Sequence, residues 1–194
     1  MAEQIRLMET AVTIRPAVLE DAEKIRQIMD FFIRETTYSW RYNAMDLDEI
    51  KSWLKKHAAK RVQKVIVADY KGSVIGYGCL SDFREPEGYW PCVEDSIYIL
   101  PRYEGQGIGS RIMEQLIQMA IFEKLQTIIA AIDSTNQKSI QFHQRFGFEH
   151  SGYLKRVGWK QNKWLDLVFM TCDLNQARFD VLRETDSQLK RQNE

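Results

Sequence analysis

The chain has 194 residues, 44% of them hydrophobic and 28% charged, which is enough for one domain with a sizeable core. Its 27 Lys and Arg balance 27 Asp and Glu, so the overall charge favours neither nucleic acid nor an anionic membrane, and a small-molecule ligand is expected instead. No run reaches the roughly 18–20 apolar residues of a membrane span, the start M-A-E-Q-I-R-L-M-E lacks a signal-peptide core, and Cys79, Cys92 and Cys172 form no C-x-x-C; a cytoplasmic protein with cysteines as small core residues is expected.

Ala11 to Arg15 reads as a short strand closed by Pro16, and Leu19, Ala22, Ile25, Met29 and Phe32 mark an amphipathic helix to about Arg34. The aromatic stretch T-T-Y-S-W-R-Y follows, too long for a simple turn. Asp46, an N-cap with Glu49 three residues on, opens a second helix striped by Leu47, Ile50, Leu54 and Ala58. Val65 to Ala68, the turn Lys71-Gly72-Ser73 and Val74 to Leu80 make a β-hairpin.

Another strand spans residues 92 to 100. A glycine turn then leads into a helix running to about Lys124, with Ile108, Ile112, Met113, Leu116, Ile117 and Ala120 at helical spacing. Thr127 to Asp133 is a short strand, Asn136 to Phe146 a helix ended by Gly147, and His150 to Val157 and Trp164 to Cys172 are the last strands. The order β-α-α-β-β-β-α-β-α-β-β predicts an α/β fold with a mixed sheet and helices on both faces. The domain is expected to span 1–174, with 175–194 a polar tail or terminal helix.

The chemistry begins at the turn. Gly105, Gly107 and Gly109 alternate through E-G-Q-G-I-G-S, leaving main-chain N–H groups from Gly105, Gln106, Gly107, Ile108, Gly109 and Ser110 open at the positive end of a helix. An anion, and a pyrophosphate in particular, fits such a cradle. The spacing is not G-x-G-x-x-G and no Lys-Ser/Thr pair follows, which excludes a dinucleotide fingerprint and a P-loop.

In the strand before the turn, period two places Glu94, Ser96 and Tyr98 on one face and Val93, Asp95, Ile97 and Ile99 on the other. A carboxylate inside a strand is either paired or functional. Asn136 is placed to cap the next helix while reaching a ligand, with His143 about two turns further on the same side. His57, His143 and His150 have no partners at ligand spacing, so no metal is expected.

The run from Val93 to Ser110 with Asn136, His143 and Gly147-Phe148 resembles the GNAT N-acetyltransferases. T-T at 36–37, F-R at 83–84, V-E-x-S at 93–96, V-G-W-K at 157–160 and W-L-D-L-V-F-M at 164–170 resemble the phosphinothricin and methionine sulfoximine acetyltransferases within them. The resemblance covers roughly residues 12 to 173 and implies a mostly antiparallel central sheet. It implies further that the backbone of Ile97, Tyr98 and Ile99 pairs with the pantetheine arm of acetyl-CoA, that the glycine turn holds its pyrophosphate, and that Asn136 contacts it. Arg84, Glu85 and Pro86 on one side and Glu94, Asp95 and Ser96 on the other would hold the acceptor. A homodimer is implied too, with Tyr38, Trp40, Trp159 and Trp164 as either interface or core. Two residues depart from the family pattern: Glu104 replaces a basic or amide residue, and Asp95 stands where close members tend to have His.

The reading is an acetyl-CoA-dependent N-acetyltransferase acting on a small amino-acid-like amine. Glu94 is the expected base for the amine, His143 the expected proton donor to the departing thiolate, and amides near Ile97 to Ile99 the expected oxyanion donors. A Glu pKa of about 4.3 matches an α-ammonium near 8 poorly, so a water relay is expected. The alternatives are a catalytically silent acyl-CoA-binding sensor and an acetyltransferase for a peptide or protein amine.

Overall fold

The computed structural model describes residues 11–60 and 64–175. Within them seven strands form one sheet: β1 (Val12–Pro16), β2 (Val65–Tyr70), β3 (Ser73–Asp82), β4 (Cys92–Ile99), β5 (Thr127–Asp133), β6 (Glu149–Lys160) and β7 (Lys163–Asp173), in the spatial order β1-β2-β3-β4-β5-β7-β6. The helices among these residues are α1 (Ala22–Glu35), α2 (Leu47–Ala59), α3 (Ile108–Phe122) and α4 (Gln137–Gln144). Element order follows the sequence pattern, and every adjacent pair of strands is antiparallel except β4–β5. No helix among the described residues is long and apolar enough to cross a membrane.

Local chemistry fixes the element ends. At α2, Asp46 Oδ1 accepts from Glu49 N–H at 2.8 Å while Glu49 Oε2 accepts from Asp46 N–H at 2.7 Å, the reciprocal cap that the sequence predicts. At the start of α1, Arg15 of β1 donates to Asp21 at 2.7 Å and to Asp69 of β2 at 2.8 Å. The Asp21 carboxylate is only 8% exposed and also accepts from Val18 N–H at 2.9 Å, so Arg15 balances its charge while the backbone holds its position.

Two apolar layers sandwich the sheet. On one face α1 and α2 pack Ile25, Ile28 and Ile50 against Val67, Tyr77 and Cys79. On the other, α3 buries Ile112, Met113 and Leu116 against Ile128, Ala130 and Met170. The stripes of α1 and α2 read from the sequence therefore face one side of the sheet and the stripe of α3 the other.

The structure differs from expectation at several ends. β6 and β7 extend beyond the predicted strands to a two-residue turn at Gln161 and Asn162, with φ of 50° and 59°. That is the twist a tight hairpin requires, here supplied without glycine. α4 stops at Gln144 rather than Phe146 because the chain turns toward Gly147, whose φ is 78°. Cys79 and Cys172 are buried, but Cys92, at the start of β4, is only half-buried. Beyond Asn175 the expected polar tail lies outside the described residues.

One irregularity positions the site. β4 pairs with β5 only from Cys92↔Thr127 to Glu94↔Ile129, while β5 continues along β7 as far as Asp133↔Leu167. Past Glu94 the two strands part, and a fork opens in the middle of the sheet.

Candidate active site

The fork leaves one edge of β4 without a strand partner from Asp95 onward. Leu100 N–H donates to Ile75 O across the β3 edge. Alternate residues of an antiparallel strand address alternate edges, so Ser96 and Tyr98 face β3 while the N–H and C=O of Ile97 and Ile99 face the fork. Of the three residues expected to offer backbone to an extended ligand, Ile97 and Ile99 present theirs, and Tyr98 is engaged with Tyr77.

Below this edge the turn enters α3. Gly105 and Gly107 both have φ of 74°, a left-handed conformation that disfavours side chains, and Gly107 is the N-cap. Ile108 is buried in the core, which anchors the helix end, while the Gln106 side chain donates to Arg102 O at 3.2 Å. The opposite wall is α4, whose N-cap Asn136 accepts from Ser139 N–H at 3.1 Å. Together Ile97, Tyr98, Ile99, the glycine turn, Asn136 and His143 line a cleft of about 1040 Å³. Tyr103, Lys138, Phe142 and Arg145 line it too, and the sequence alone gave no reason to choose them. Glu104 at the mouth lies 3.5 Å from Lys138 Nζ, so its charge is partly countered from the facing helix.

A second, smaller cavity of about 180 Å³ lies on the α1/α2 face of the sheet. Its lining includes Met29, Phe32, Arg41, Trp53, Tyr77 and Cys79, with Ser81 and Ser96 at the strands. Phe32 and Tyr98 line both cavities, which therefore meet at those two side chains. The sequence signals for this pocket were the helical stripe holding Met29 and Phe32 and the overlong aromatic loop carrying Arg41. Neither identifies a cavity until the helices are docked. Burial pushes the Cys79 thiol up to about 12, with Ser81 opposing, so the pocket holds no thiolate near neutral pH.

Glu94 stands beside this pocket, on the face of Ser96 and opposite Ser81 in register. Burial, reinforced by the neighbouring Asp95 charge, raises its carboxyl above the ordinary range, and Arg84 opposes the rise. The side chains of the expected acceptor trio thus divide. Glu94 and Ser96 face the pocket, whereas Asp95 points to the other side of the sheet and meets His143: Nε2 lies 3.2 Å from Asp95 Oδ2. Arg84, Glu85 and Pro86 are exposed just past β3, outside both cavities, with the Arg84 guanidinium 5.0 Å from the Phe83 ring centre. Among the described residues no group of His, Cys, Asp and Glu side chains gathers as metal ligands would.

The β6–β7 hairpin braces the loop after α1. Lys160 donates to Ser39 O and Tyr42 to Trp159 O, and the Trp40 ring lies so close to Gly158 that an added Cβ would meet it at 2.7 Å. Of the four aromatics weighed as interface or core, Trp40 packs on the hairpin, while Tyr38, Trp159 and Trp164 are exposed.

This fork, with a glycine-capped helix at its base, is the architecture of an acyl-CoA-dependent transferase. Residues 25–148 match the acetyltransferase (GNAT) family, and the chain belongs to that family. It is 34% identical over 168 residues to the L-methionine sulfoximine/L-methionine sulfone acetyltransferase of Pseudomonas aeruginosa, covering 87% of this chain and 98% of that protein. Its fold is similar to that of a phosphinothricin acetyltransferase from Sinorhizobium meliloti solved in complex with acetyl-CoA, with TM-score 0.80, 30% identity, and coverage of 84% of this chain and 88% of that one. A ribosomal-protein-alanine N-acetyltransferase from Brucella melitensis is similar as well, with TM-score 0.80, 34% identity, and coverage of 83% and 99%.

Proposed function

We propose that this acetyltransferase moves the acetyl group of acetyl-CoA onto the amine of a small amino-acid-like acceptor of the methionine sulfoximine or phosphinothricin type. The observation that carries the reading is the junction at Phe32 and Tyr98. There a long cleft with an open strand edge and a helix N-terminus meets an aromatic pocket too small for a protein chain, with Glu94 beside it.

The residues present suit acetyl-CoA. The unpaired Ile97 and Ile99 groups match the amides of a pantetheine arm, and the N–H groups from Gly105 to Ser110 at the head of α3 match a pyrophosphate, with Lys138 and Arg145 adding positive charge. When bound, acetyl-CoA supplies an activated thioester. Glu94 takes the proton of the ammonium through water, and its raised pKa narrows the mismatch with the amine. Ile97 N–H, aimed into the fork, is placed to stabilise the carbonyl oxygen as charge develops. His143 returns a proton to the departing sulfur. The acetyl group passes directly from the thioester to the amine.

Arg84, exposed outside the pocket and near enough to Glu94 to oppose the rise of its carboxyl, would have to swing over Glu94 to hold the acceptor carboxylate. Asp95 serves this pocket only through the backbone and charge it shares with Glu94. The protein works in the cytoplasm as a homodimer, with exposed Trp159 and Trp164, stacked edge-on 5.1 Å apart on the β6–β7 hairpin, supplying apolar contact area. A second reading, a protein N-terminal amine as acceptor, draws on the similarity to the ribosomal-protein-alanine enzyme. A screen of amino acids, alkylamines and short peptides for free thiol release from acetyl-CoA separates the readings. Release with amino acids supports the first, release with peptides alone supports the second, and acetyl-CoA binding without release from any amine identifies a silent sensor.

A further inference from the structure

The small pocket on the α1/α2 face is lined unevenly. Met29, Phe32 and Trp53 make an apolar wall, while Ser39, Ser81 and Ser96 supply hydroxyl groups. Among the described residues Arg41 is the only charged one that lines it, so the pocket presents a cation and no carboxylate of its own. No acid among the described residues pairs with Arg41, which leaves its guanidinium N–H groups to solvent or to a ligand. The charge is felt inside the pocket: burial pushes the Tyr77 phenol well up, and Arg41 opposes the rise.

Arg41 is exposed, yet its backbone is held from both sides. Lys160 donates to Ser39 O, the Trp40 ring lies against Gly158, and the Tyr42 hydroxyl donates to Trp159 O. Residues 39, 40 and 42 are thus fixed to the end of β6, and the side chain between them is free to reach. A cation on a braced loop pays less ordering cost on binding than one on a loose loop.

We propose that Arg41 is a specificity-determining residue, selecting an amino acid whose side chain ends in a compact oxyanion with an apolar substituent, such as a methylphosphinate, over a neutral head of the same shape. The inference rests on the acetyl-transfer reading and states which acceptor of that type the pocket takes. The methyl group seats on the apolar wall, and two oxygens accept from the planar guanidinium fork. A neutral head gives up its hydration to enter the same space but gains no charge-assisted bond there.

Phosphinothricin and methionine sulfone isolate that charge. Each is an α-amino acid with two methylenes and a tetrahedral head bearing one methyl group and two oxygens, and only the phosphinate is ionised. With acetyl-CoA as donor, wild-type kcat/KM is expected to be roughly tenfold higher for phosphinothricin, mainly through KM, with the ratio shrinking as salt is added. Arg41→Gln keeps a polar side chain and removes the charge, and should bring the two constants close together by weakening phosphinothricin. Equal constants in the wild type overturn the proposal without any variant. So does a preference that survives in Arg41→Gln, or an equal loss for both compounds, which would put Arg41 on the carboxylate they share. Calorimetry on the protein loaded with CoA reads the same discrimination without chemistry. There, tighter binding of phosphinothricin that Arg41→Gln abolishes supports the proposal even in a protein that acetylates neither compound, a result that would count against the acetyl-transfer reading alone. Failure of both compounds to bind overturns the proposal.

Discussion

Lys138 Nζ stands 3.5 Å from Glu104 Oε2 across the mouth of the cleft, joining the glycine turn to the first turn of α4. Both side chains are largely solvated, so the pair contributes little to stability, but it determines the charge that an incoming pyrophosphate meets. Glu104→Gln should tighten acetyl-CoA binding by roughly threefold at low salt, with the gain shrinking as ionic strength rises. Lys138→Gln should weaken it. Calorimetry at two salt concentrations checks both, and an unchanged dissociation constant in each would place this pair outside the binding field.

The glycine turn offers one position where binding is separable from folding. A side chain at Gly107 would strain its left-handed N-cap, whereas a Cβ on Gly109 would make ordinary contacts of 3.5 and 3.8 Å with the Phe142 ring. Both Gly109 and Phe142 line the cleft. Gly109→Val is therefore expected to fold with a near-native melting temperature and to lose at least tenfold in acetyl-CoA affinity. Gly107→Val should lose stability as well, by about 1–2 kcal/mol. Native affinity in a folded Gly109→Val would remove the turn from the site.

Glu94 links activity and stability with opposite signs. Its folded pKa is raised, by burial first and then by Asp95, so its favourable contribution is present below the unfolded value of about 4.5 and is lost as pH rises through the folded value. Above that window the wild type carries a desolvated carboxylate that Gln does not. Glu94→Gln should reduce turnover roughly 10²- to 10⁴-fold while leaving acetyl-CoA affinity nearly intact. It should also melt higher than the wild type, with the difference small near pH 4 and larger at pH 7. A variant melting at or below the wild type at neutral pH would contradict the burial account, and retained turnover would make Glu94 structural.

The exposed Trp159 and Trp164 give the proposed homodimer a direct test. Sedimentation should find the wild type dimeric and the double variant Trp159→Ser, Trp164→Ser mostly monomeric, with little change in melting temperature because neither ring is in the core. A variant that stays dimeric would move the interface away from the hairpin end.

Much of the fold and half of the site are legible in the sequence, for identifiable reasons. The cap at Asp46, the stripes of α1 and α3 and the glycine turn are local patterns, and local physics fixes them. The fork is not local. Nothing in V-E-D-S-I-Y-I says that pairing with β5 ends at Glu94, yet that break is what gives Ile97 and Ile99 free groups. The small aromatic pocket is still less visible, since Arg41, Trp53 and Tyr77 come together only when α1 and α2 dock on the sheet. Period two did place Asp95 on the face opposite Glu94. Its partner His143 lies 48 residues away, a pairing that sequence spacing does not reveal.

The central claim is that the acceptor is an amino acid held at both ends, its amine at Glu94 and its carboxylate at Arg84. The most direct measurement compares kcat/KM for an α-amino acid such as methionine sulfoximine with that for its decarboxylated amine, in the wild type, Arg84→Lys and Arg41→Lys. The account predicts a wild-type preference for the amino acid of roughly tenfold or more, expressed mainly in KM, lost in Arg84→Lys and kept in Arg41→Lys. Loss of the preference in Arg41→Lys alone would move the anchor to the loop after α1, and equal constants for the two substrates in the wild type would contradict the amino-acid reading altogether.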